Sequence, residues 1–393
     1  MRILFVVCGE GLGHASRSTK LARYLENFGH TCIFASYGKA YDFIAKQGGF
    51  QVYETPGEVR LEGENGYFSI SKTLWSSRGV MVNLGKSLNS IRHIIAEHSI
   101  DLLVSDTMYG AVTSARVESI PSVFITNQNS FSTADDSGSR YWRILSKIVG
   151  KYLTVPDRVI VPDFEPPHTV CGYNLDLNNG YKPVFNFVGP INDIDITRYD
   201  LKKETIFASF GGEPFKVPLY HMLKNIADER PFHKFEAFST TPGLPEPSDN
   251  FRIYGYVDDL HSYMAHARVM ILHGGLTTLH ESLLFRKPSV MIIDPHHPEQ
   301  WNNARKIEEM GAGILIEGDK VTEKRLSDAI DEALTIKTPD MHYLFNSQDG
   351  RVRTYKIIEE LMEDPVIRRG RGTFRRESIR LIEDLMENRS RSK

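Results

Sequence analysis

The fold is decided by the stretch Leu272-His273-Gly274-Gly275-Leu276-Thr277-Thr278-Leu279-His280-Glu281. An apolar run from Val269 to Leu272 predicts a buried strand, which stops at a His-Gly-Gly turn just before a helical pattern begins. Such a junction aims unpaired backbone N–H groups and the positive end of a helix dipole at an anion. Gly274 and Gly275 let the backbone approach that anion closely, because no Cβ intervenes.

Polar side chains in the predicted helix extend this anion site. Thr277 and Thr278 add hydroxyl donors in the first turn. Glu281 lies eight residues after His273, and its carboxylate suits a neutral diol such as a ribose better than a phosphate. The combination predicts a site for a sugar nucleotide, and the alternative is an ordinary strand–turn–helix with a solvated Glu281.

The pattern continues in a second stretch, Asp294-Pro295-His296-His297-Pro298-Glu299-Gln300-Trp301-Asn302-Asn303-Ala304. Together the two stretches resemble the nucleotide-sugar signature of GT-B glycosyltransferases, particularly inverting enzymes of the MurG and UDP-glucuronosyltransferase type. That signature runs from His-x-Gly through Thr or Ser, Glu and Pro to an acidic residue followed by Gln-x-x-Asn-Ala. Its elements stand here at His273, Gly275, Thr277, Glu281, Pro288, Glu299, Gln300, Asn303 and Ala304.

The resemblance implies an α/β protein with two Rossmann-like, doubly wound parallel-sheet domains that face a central cleft. Alternating strand and helix patterns in both halves agree with it. Strands are predicted at 2–8, 31–36, 101–105, 122–126, 158–161, 205–210, 234–238, 251–254, 268–272, 289–293 and 313–316. Helices are predicted at 14–28, 83–98, 140–152, 217–228, 276–285, 301–310 and 322–335.

The sequence Val188-Gly189-Pro190 divides the two halves, and a similar Val-Gly-Pro lies at the interdomain hinge of the resembling families. We therefore expect an acceptor-binding domain at 1–190 and a nucleotide-sugar-binding domain at 191–360. Residues 361–393 form a basic tail with a plausible helix at 374–388. In GT-B enzymes the last helix often crosses back onto the first domain, while a solvated or membrane-touching extension is the alternative.

Length and composition agree with a two-domain enzyme in a reducing compartment. The 393 residues are 41% hydrophobic and 25% charged, which is typical of globular proteins. A net charge of −3 gives no reason to expect nucleic acid as a partner. Three cysteines do not form a disulfide framework, and no run of 18 apolar residues is present. These features predict a cytoplasmic protein.

A glycine-rich loop follows the first predicted strand and ends in His14. The glycines at 9 and 11 are also typical of a dinucleotide-binding loop. However, His14 occupies the position of the third glycine of that fingerprint, and the second strand does not end in the acidic residue that would bind a ribose. The GT-B resemblance implies instead that Gly11 and Gly13 line the acceptor side and that His14 deprotonates the acceptor hydroxyl. The alternative is a helix-capping or loop histidine.

A base of this kind works better with a carboxylate that orients it. Asp106 follows another predicted strand, at the edge where open α/β sheets place their sites. We therefore expect Asp106 to orient His14, and a plain N-cap of the next helix is the alternative.

The resemblance also implies further donor contacts. Gly211 and Gly212, after the first strand of the second half, would approach the diphosphate. Glu299 and Gln300 would hydrogen-bond the sugar hydroxyls. The stretch from Tyr256 to His261 lacks the Trp-x-Pro-Gln of the plant and animal relatives and is closer to MurG, in which backbone near a Val-Asp such as Val257-Asp258 reads the base. These features favour a UDP-sugar donor.

The same pattern speaks to stereochemistry and metal dependence. Retaining GT-B enzymes commonly carry Glu-x7-Glu at this junction, whereas here only Glu281 matches, so inversion is favoured. The one Asp-x-Asp, Asp193-Ile194-Asp195, lies past the hinge as a linker. We therefore expect no metal and no cofactor, with the leaving diphosphate held by the helix N-terminus, glycine turns, hydroxyls and His273.

The acceptor is harder to predict. The segment 140–152 places apolar residues at 141, 145, 148 and 152 and basic residues at 140, 143, 147 and 151. Such a helix either packs on its own domain or lies on an anionic membrane at the inner face, which would suit a lipid-linked acceptor. A UDP-sugar epimerase or hydrolase on the same fold is the alternative function, and a nucleotide-sugar sensor is a third.

Overall fold

The computed structural model describes residues 1–57, 63–64, 67–68, 80–131, 140–177, 185–211, 213–295, 297–365 and 367. In the first half, parallel strands form a sheet in the order β3-β2-β1-β6-β7-β8-β9. These strands are β1 Arg2–Val7, β2 Thr31–Ser36, β3 Val52–Glu54, β6 Leu102–Asp106, β7 Ser122–Ile125, β8 Arg158–Val161 and β9 Phe185–Phe187, and a short antiparallel ribbon pairs β4 Gly63–Glu64 with β5 Tyr67–Phe68. The central strands are apolar and fully buried because helices cover both faces.

The second half contains another parallel sheet, in the order β12-β11-β10-β13-β14-β15. Its strands are β10 Thr205–Ser209, β11 Lys234–Phe238, β12 Phe251–Tyr254, β13 Ala267–Leu272, β14 Ser289–Ile293 and β15 Gly313–Glu317. In both sheets the chain starts in the middle and reverses its direction of winding beside the first strand. That reversal opens a crevice at the carboxyl ends of the strands, where such sheets bind ligands.

The helices of the described residues follow from their apolar spacing and caps. They are α1 Leu12–Glu26, α2 Gly38–Phe43, α3 Val80–Glu97, α4 Tyr109–Glu118, α5 Arg140–Tyr152, α6 Val217–Asp228, α7 Leu260–His266, α8 Leu276–Leu284, α9 Pro298–Glu309, α10 Glu323–Ala333, α11 His342–Ser347 and α12 Gly350–Glu363. In α10, for example, the Thr322 hydroxyl caps the N-terminus by accepting from the Arg325 N–H at 3.1 Å. Leu326, Ala329 and Ile330 then bury one face.

The observed sheets confirm the predicted α/β fold with two parallel-sheet domains. Each of the eleven predicted strands lies within one residue of an observed strand. The helix predicted from 301 begins earlier, at Pro298, with His297 as its N-cap. Proline is compatible with the first helical position because its missing N–H has no partner there. Glu299 and Gln300 therefore lie in the first turn of α9.

The chain passes twice between the domains at one place. Gly189 has a φ of 89°, and a Cβ there would overlap the carbonyl oxygen of Gln348. The returning chain enters α12, and its Ile358 and Leu361 belong to the same core as Ile3 of the first sheet. The structure thus places 350–363 with the first domain, whereas the sequence division put residues up to 360 in the second. The helix expected at 374–388 lies outside the described residues.

The amphipathic helix α5 is present, but its orientation differs from the prediction. Leu145, Val149 and Tyr152 pack against the first domain, while Ile144 and Ile148 are 49% and 60% exposed. Ile148 therefore lies on the solvent side rather than on the buried face. Two apolar stripes share this helix, and the sequence alone does not show which of them the domain covers.

Candidate active site

His14 and Asp106 meet at the carboxyl end of the first sheet. His14 lies in the first turn of α1, and Asp106 is the last residue of β6, which pairs with β1. The Nδ1 atom of His14 lies 2.7 Å from a carboxylate oxygen of Asp106. Asp106 is fully buried, whereas the His14 side chain keeps 22% of its surface exposed. The imidazole is thus the member of the pair that a substrate can reach.

Arg17 is a third member of this cluster, and sequence reasoning missed it. Its Nε donates to one oxygen of Asp106 at 2.6 Å and its Nη2 donates to the other. Burial by itself raises the pKa of Asp106, but Arg17 and His14 outweigh it and hold that pKa well below its ordinary range. Arg17 lies three residues after His14, a helical spacing that places both side chains on one face. That spacing was the available signal.

The Asp106 carboxylate determines which ring nitrogen of neutral His14 carries the proton. Nη2 of Arg17 lies 3.0 Å from His14 Nδ1, but a ring nitrogen cannot accept from Arg17 and donate to Asp106 at once. The ionised Asp106 carboxylate only accepts, so it favours the tautomer with the proton on Nδ1. Nε2 is then the acceptor nitrogen of the ring.

The glycine turn after β13 is packed as its sequence requires. Gly274 has a φ of 81°, and its carbonyl accepts from Asn303 Nδ2 at 3.1 Å. A Cβ on Gly275 would lie 2.9 Å from His273 Nε2, so only glycine fits without displacing the imidazole. Burial, with a contribution from the nearby cation Lys216, lowers the pKa of His273. The ring at this turn is therefore neutral.

The next turn of the chain brings the two domains into contact. Thr277 and Thr278 lie half-buried in the first turn of α8. A Cβ on Gly13 of the first domain would lie 3.1 Å from the Thr277 hydroxyl. Gly11, with a φ of 84°, forms the turn that leads into this approach. The loop that carries His14 is thus held against the first turn of α8.

Glu281 is buried, which excludes the solvated alternative. Its carboxylate lies 3.4 Å from His261 Nε2 and 3.5 Å from Nζ of Lys20 on α1. Burial raises the pKa of Glu281, but the hydrogen bond with His261 and the charge of Lys20 bring it below the ordinary value. Glu281 is therefore an ionised carboxylate that contacts the opposite domain.

The two residues predicted to hold the donor sugar already have protein partners. Glu299 accepts from Nδ2 of Asn127 at 2.7 Å, and Asn127 lies in the loop after β7 of the first domain. Gln300 accepts from the backbone N–H of Asp294 at 2.8 Å and donates to its carboxylate at 3.0 Å. A sugar hydroxyl would share or replace these bonds. The sequence did not reveal Asn127 or Asp294 as partners.

The remaining predicted donor residues lie around the same cleft. Gly211 has a φ of 83° and opens the turn after β10, while Gly212 lies outside the described residues. Glu213, in this turn, accepts from Nζ of Lys39 in the first domain at 2.6 Å. The half-buried Val257 side chain packs against a hydrophobic core cluster of the second domain.

The cleft between the domains is lined by residues of both, including Arg17, Pro190, Thr277, His280 and Glu281. Of these lining residues, His280 is buried and its Nε2 lies 2.9 Å from the carboxylate of Asp163. Among the described residues, no group of three or more His, Cys, Asp or Glu is placed to hold a metal ion. Within the same ranges, no helix is long and apolar enough to cross a membrane.

Comparisons with known proteins agree with this geometry. The glycosyltransferase family 28 C-terminal domain matches residues 223–351, and glycosyl transferase family 1 matches residues 1–152. An uncharacterized glycosyltransferase of Methanosarcina mazei is 30% identical over 329 residues, covering 80% of this chain and 86% of the relative.

Two further comparisons concern substrates. A relative from Thermosipho africanus, named UDP-N-acetylglucosamine--N-acetylmuramyl-(pentapeptide) pyrophosphoryl-undecaprenol N-acetylglucosamine transferase, is 28% identical over 136 residues, which is 34% of this chain and 40% of that one. The solved structure of the spinosyn rhamnosyltransferase SpnG with thymidine diphosphate has a TM-score of 0.61 at 15% identity, and the likeness covers 92% of this chain and 96% of that chain. This likeness shows the fold.

Proposed function

We propose that this chain, which belongs to the glycosyltransferases and has their GT-B fold, moves a sugar from a nucleoside diphosphate donor to an acceptor hydroxyl with inversion and without a metal ion. The observation that carries the proposal is the bond between His14 Nδ1 and Asp106, at a loop held against the donor helix. With its proton on Nδ1, His14 accepts the hydroxyl proton at Nε2. The freed oxygen attacks the anomeric carbon from the face opposite the diphosphate, and the bond to the diphosphate breaks in the same step.

The donor lies on the second domain in this proposal. Glu281 accepts hydrogen bonds from the ribose hydroxyls. An ionised, buried carboxylate suits this neutral diol, whereas it would repel a phosphate. Backbone N–H groups at Gly274 and Gly275, with the hydroxyls of Thr277 and Thr278, bind the diphosphate. Glu299 and Gln300 orient the sugar.

Uridine is the base we propose. The MurG-like stretch from Tyr256 to His261 supports it, as does the Thermosipho relative, whose name gives a UDP-sugar donor. The thymidine diphosphate bound to SpnG supports a donor that carries a pyrimidine nucleoside diphosphate. No observation on the described residues favours the epimerase or hydrolase alternative.

The acceptor side of the proposal rests on α5. Its solvent side presents Ile144 and Ile148 together with Arg143, Lys147 and Lys151, all exposed. An apolar strip flanked by cations is complementary to an anionic bilayer surface. We therefore propose a lipid-linked acceptor, reached at the cytoplasmic face of a membrane. The undecaprenol-linked acceptor in the name of the Thermosipho relative supports this class.

A thermal-shift screen against UDP, GDP, dTDP, NAD and several UDP-sugars tests the donor. A ligand that binds only the folded state raises the melting temperature by mass action. We expect stabilisation by UDP and by one UDP-sugar. Stabilisation by NAD alone, or by none of these nucleotides, would contradict the proposed donor site.

Two variants then separate the donor site from the base. Glu281→Ala should weaken nucleotide binding, while His14→Ala should leave binding intact and slow transfer at least about 100-fold, the usual contribution of a general base. Loss of donor binding in His14→Ala would refute the base assignment. NMR of the product gives the anomeric configuration, and activity that is lost with EDTA and restored by magnesium would refute the metal-free mechanism.

A further inference from the structure

Lys216 is a buried cation in the donor half that the proposed mechanism does not yet use. It closes the short turn Pro214–Lys216 that follows Gly211, immediately before α6. Its ammonium forms an ion pair with Asp294, the residue that follows β14, and each side chain is only 3% exposed. The pair therefore lies at the carboxyl ends of the strands, on the same side of the sheet as the donor turns.

The partner of Lys216 belongs to the proposed sugar-binding segment. Asp294 is held by Gln300 through both its backbone N–H and its carboxylate. The ion pair thus connects the Gly211 turn with the first turn of α9. Lys216 also acts on the third donor element, since its charge contributes to lowering the pKa of His273. Nδ1 of that ring is buried.

A structural role accounts poorly for this ion pair. Removing two charges from water costs about as much as their attraction returns, so a buried pair adds little to stability by itself. A dehydrated ammonium beside a developing anion is, by contrast, far more effective than an exposed one.

We propose that Lys216 binds the donor diphosphate and that Asp294 holds the ammonium until the donor arrives. The flexible lysine stem lets the ammonium turn from Asp294 to a phosphate oxygen. Asp294 then accepts a hydrogen bond from a sugar hydroxyl beside Gln300. Lys216 forms no covalent bond, and it stabilises the diphosphate that departs with the electron pair of the broken bond. The inference rests on the proposed function, because it assigns a residue to that donor site.

The test compares ligands that differ only in their phosphates. Uridine and UDP are titrated into wild type, Lys216→Met, and the double variant Lys216→Met/Asp294→Asn, in which a neutral pair of similar shape replaces the ions. We expect both variants to bind UDP roughly 10- to 100-fold more weakly, as for the loss of a charge-assisted hydrogen bond. Uridine affinity should stay within about twofold, because uridine lacks the group that Lys216 contacts.

The double variant separates a binding role from a structural one. Lys216→Met alone leaves Asp294 buried without its partner and lowers the melting temperature, and the second substitution should restore it. A double variant that regains both stability and UDP affinity would show that the pair is only structural. An equal loss of uridine and UDP affinity would likewise overturn the proposal.

A matched control is available at the other end of β14. Lys287 is buried like Lys216, but its Nζ donates to the carbonyls of Lys202 and Ala265, next to the start of the strand. Lys287→Met should lower stability without changing UDP affinity. Failure of the proposed function is distinguishable, because wild type itself would then bind neither UDP nor any UDP-sugar.

Discussion

Replacement of Asp106 by Asn should destabilise the protein through a buried charge that loses its partner. The Asp106 carboxylate accepts from Arg17 Nε, Arg17 Nη2, His14 Nδ1 and the hydroxyls of Ser18 and Thr107. An amide keeps one acceptor oxygen and presents a donor in place of the other, so at least two of these five bonds are lost. At about 1.5–3 kcal/mol for each bond that involves a charge, the loss is about 3–6 kcal/mol. That range overlaps the cost of breaking a buried ion pair.

The assay is differential scanning calorimetry of Asp106→Asn beside a surface control. Asp331 also accepts two hydrogen bonds from one arginine, Arg230, at 2.7 Å each, but its side chain is 60% exposed. We expect Asp331→Asn to cost less than about 1 kcal/mol. Asp106→Asn should lower the melting temperature of the first domain by about 10 °C. Equal shifts in the two variants would refute the reasoning, because burial is the feature that distinguishes the pairs.

The same substitution should change the response to acid. Since the pKa of folded Asp106 is held below its ordinary value, its ion pair stabilises wild type above about pH 4 and this contribution is lost as the pH falls toward the folded pKa. Wild type should therefore lose its advantage over Asp106→Asn between about pH 5 and pH 2. A constant difference in unfolding free energy over that interval would contradict the assignment of an ionised Asp106.

Two further predictions concern the Cys32 thiol and α5. Burial raises the pKa of Cys32 to about 12, so at pH 8 a thiol reagent should label this buried cysteine only after denaturation; rapid labelling of Cys32 in the native protein would contradict its burial. Replacing Arg143, Lys147 and Lys151 by Ala should weaken co-sedimentation with phosphatidylserine vesicles about 100-fold, at about 1 kcal/mol for each cation near the surface. Replacing the remote surface residues Lys320, Lys324 and Arg325 by Ala is the charge-matched control, and equal weakening by both sets would show that α5 is not the contact surface.

The sequence predicted the two sheets well because their strands are continuous apolar runs bounded by turn residues. The pairing of His14 with Asp106 was also accessible, since both residues follow strands whose carboxyl ends share one edge of a sheet. Asn127 and Lys216 were missed for a common reason. Each contacts a residue at least 78 positions away along the chain, at Glu299 and Asp294 respectively, and no local pattern records such a contact. Arg17 was missed although its three-residue spacing from His14 places both side chains on one helix face.

The helices show a second limit of sequence reasoning. Apolar spacing indicates that a helix has a buried face, but it does not identify the surface that covers that face. Ile358 and Leu361 have ordinary helical spacing, and only the folded chain shows that they pack on the first sheet rather than the second. Ile148 on α5 was assigned to the wrong side for the same reason.

The second domain leaves and rejoins the first at a single place, since the N–H of Gly350 donates to the carbonyl of Pro190 at 3.2 Å. Residues 190–349 are therefore an insert whose two ends touch, and α12 completes the host into which it is inserted. Because its two ends adjoin, this insert can be exchanged for the equivalent domain of a relative. The two new junctions would then need no added linker residues. Under the proposed function, donor choice would move with this insert between relatives, provided that the cuts fall at Gly189 and Gly350 and α12 stays with its host.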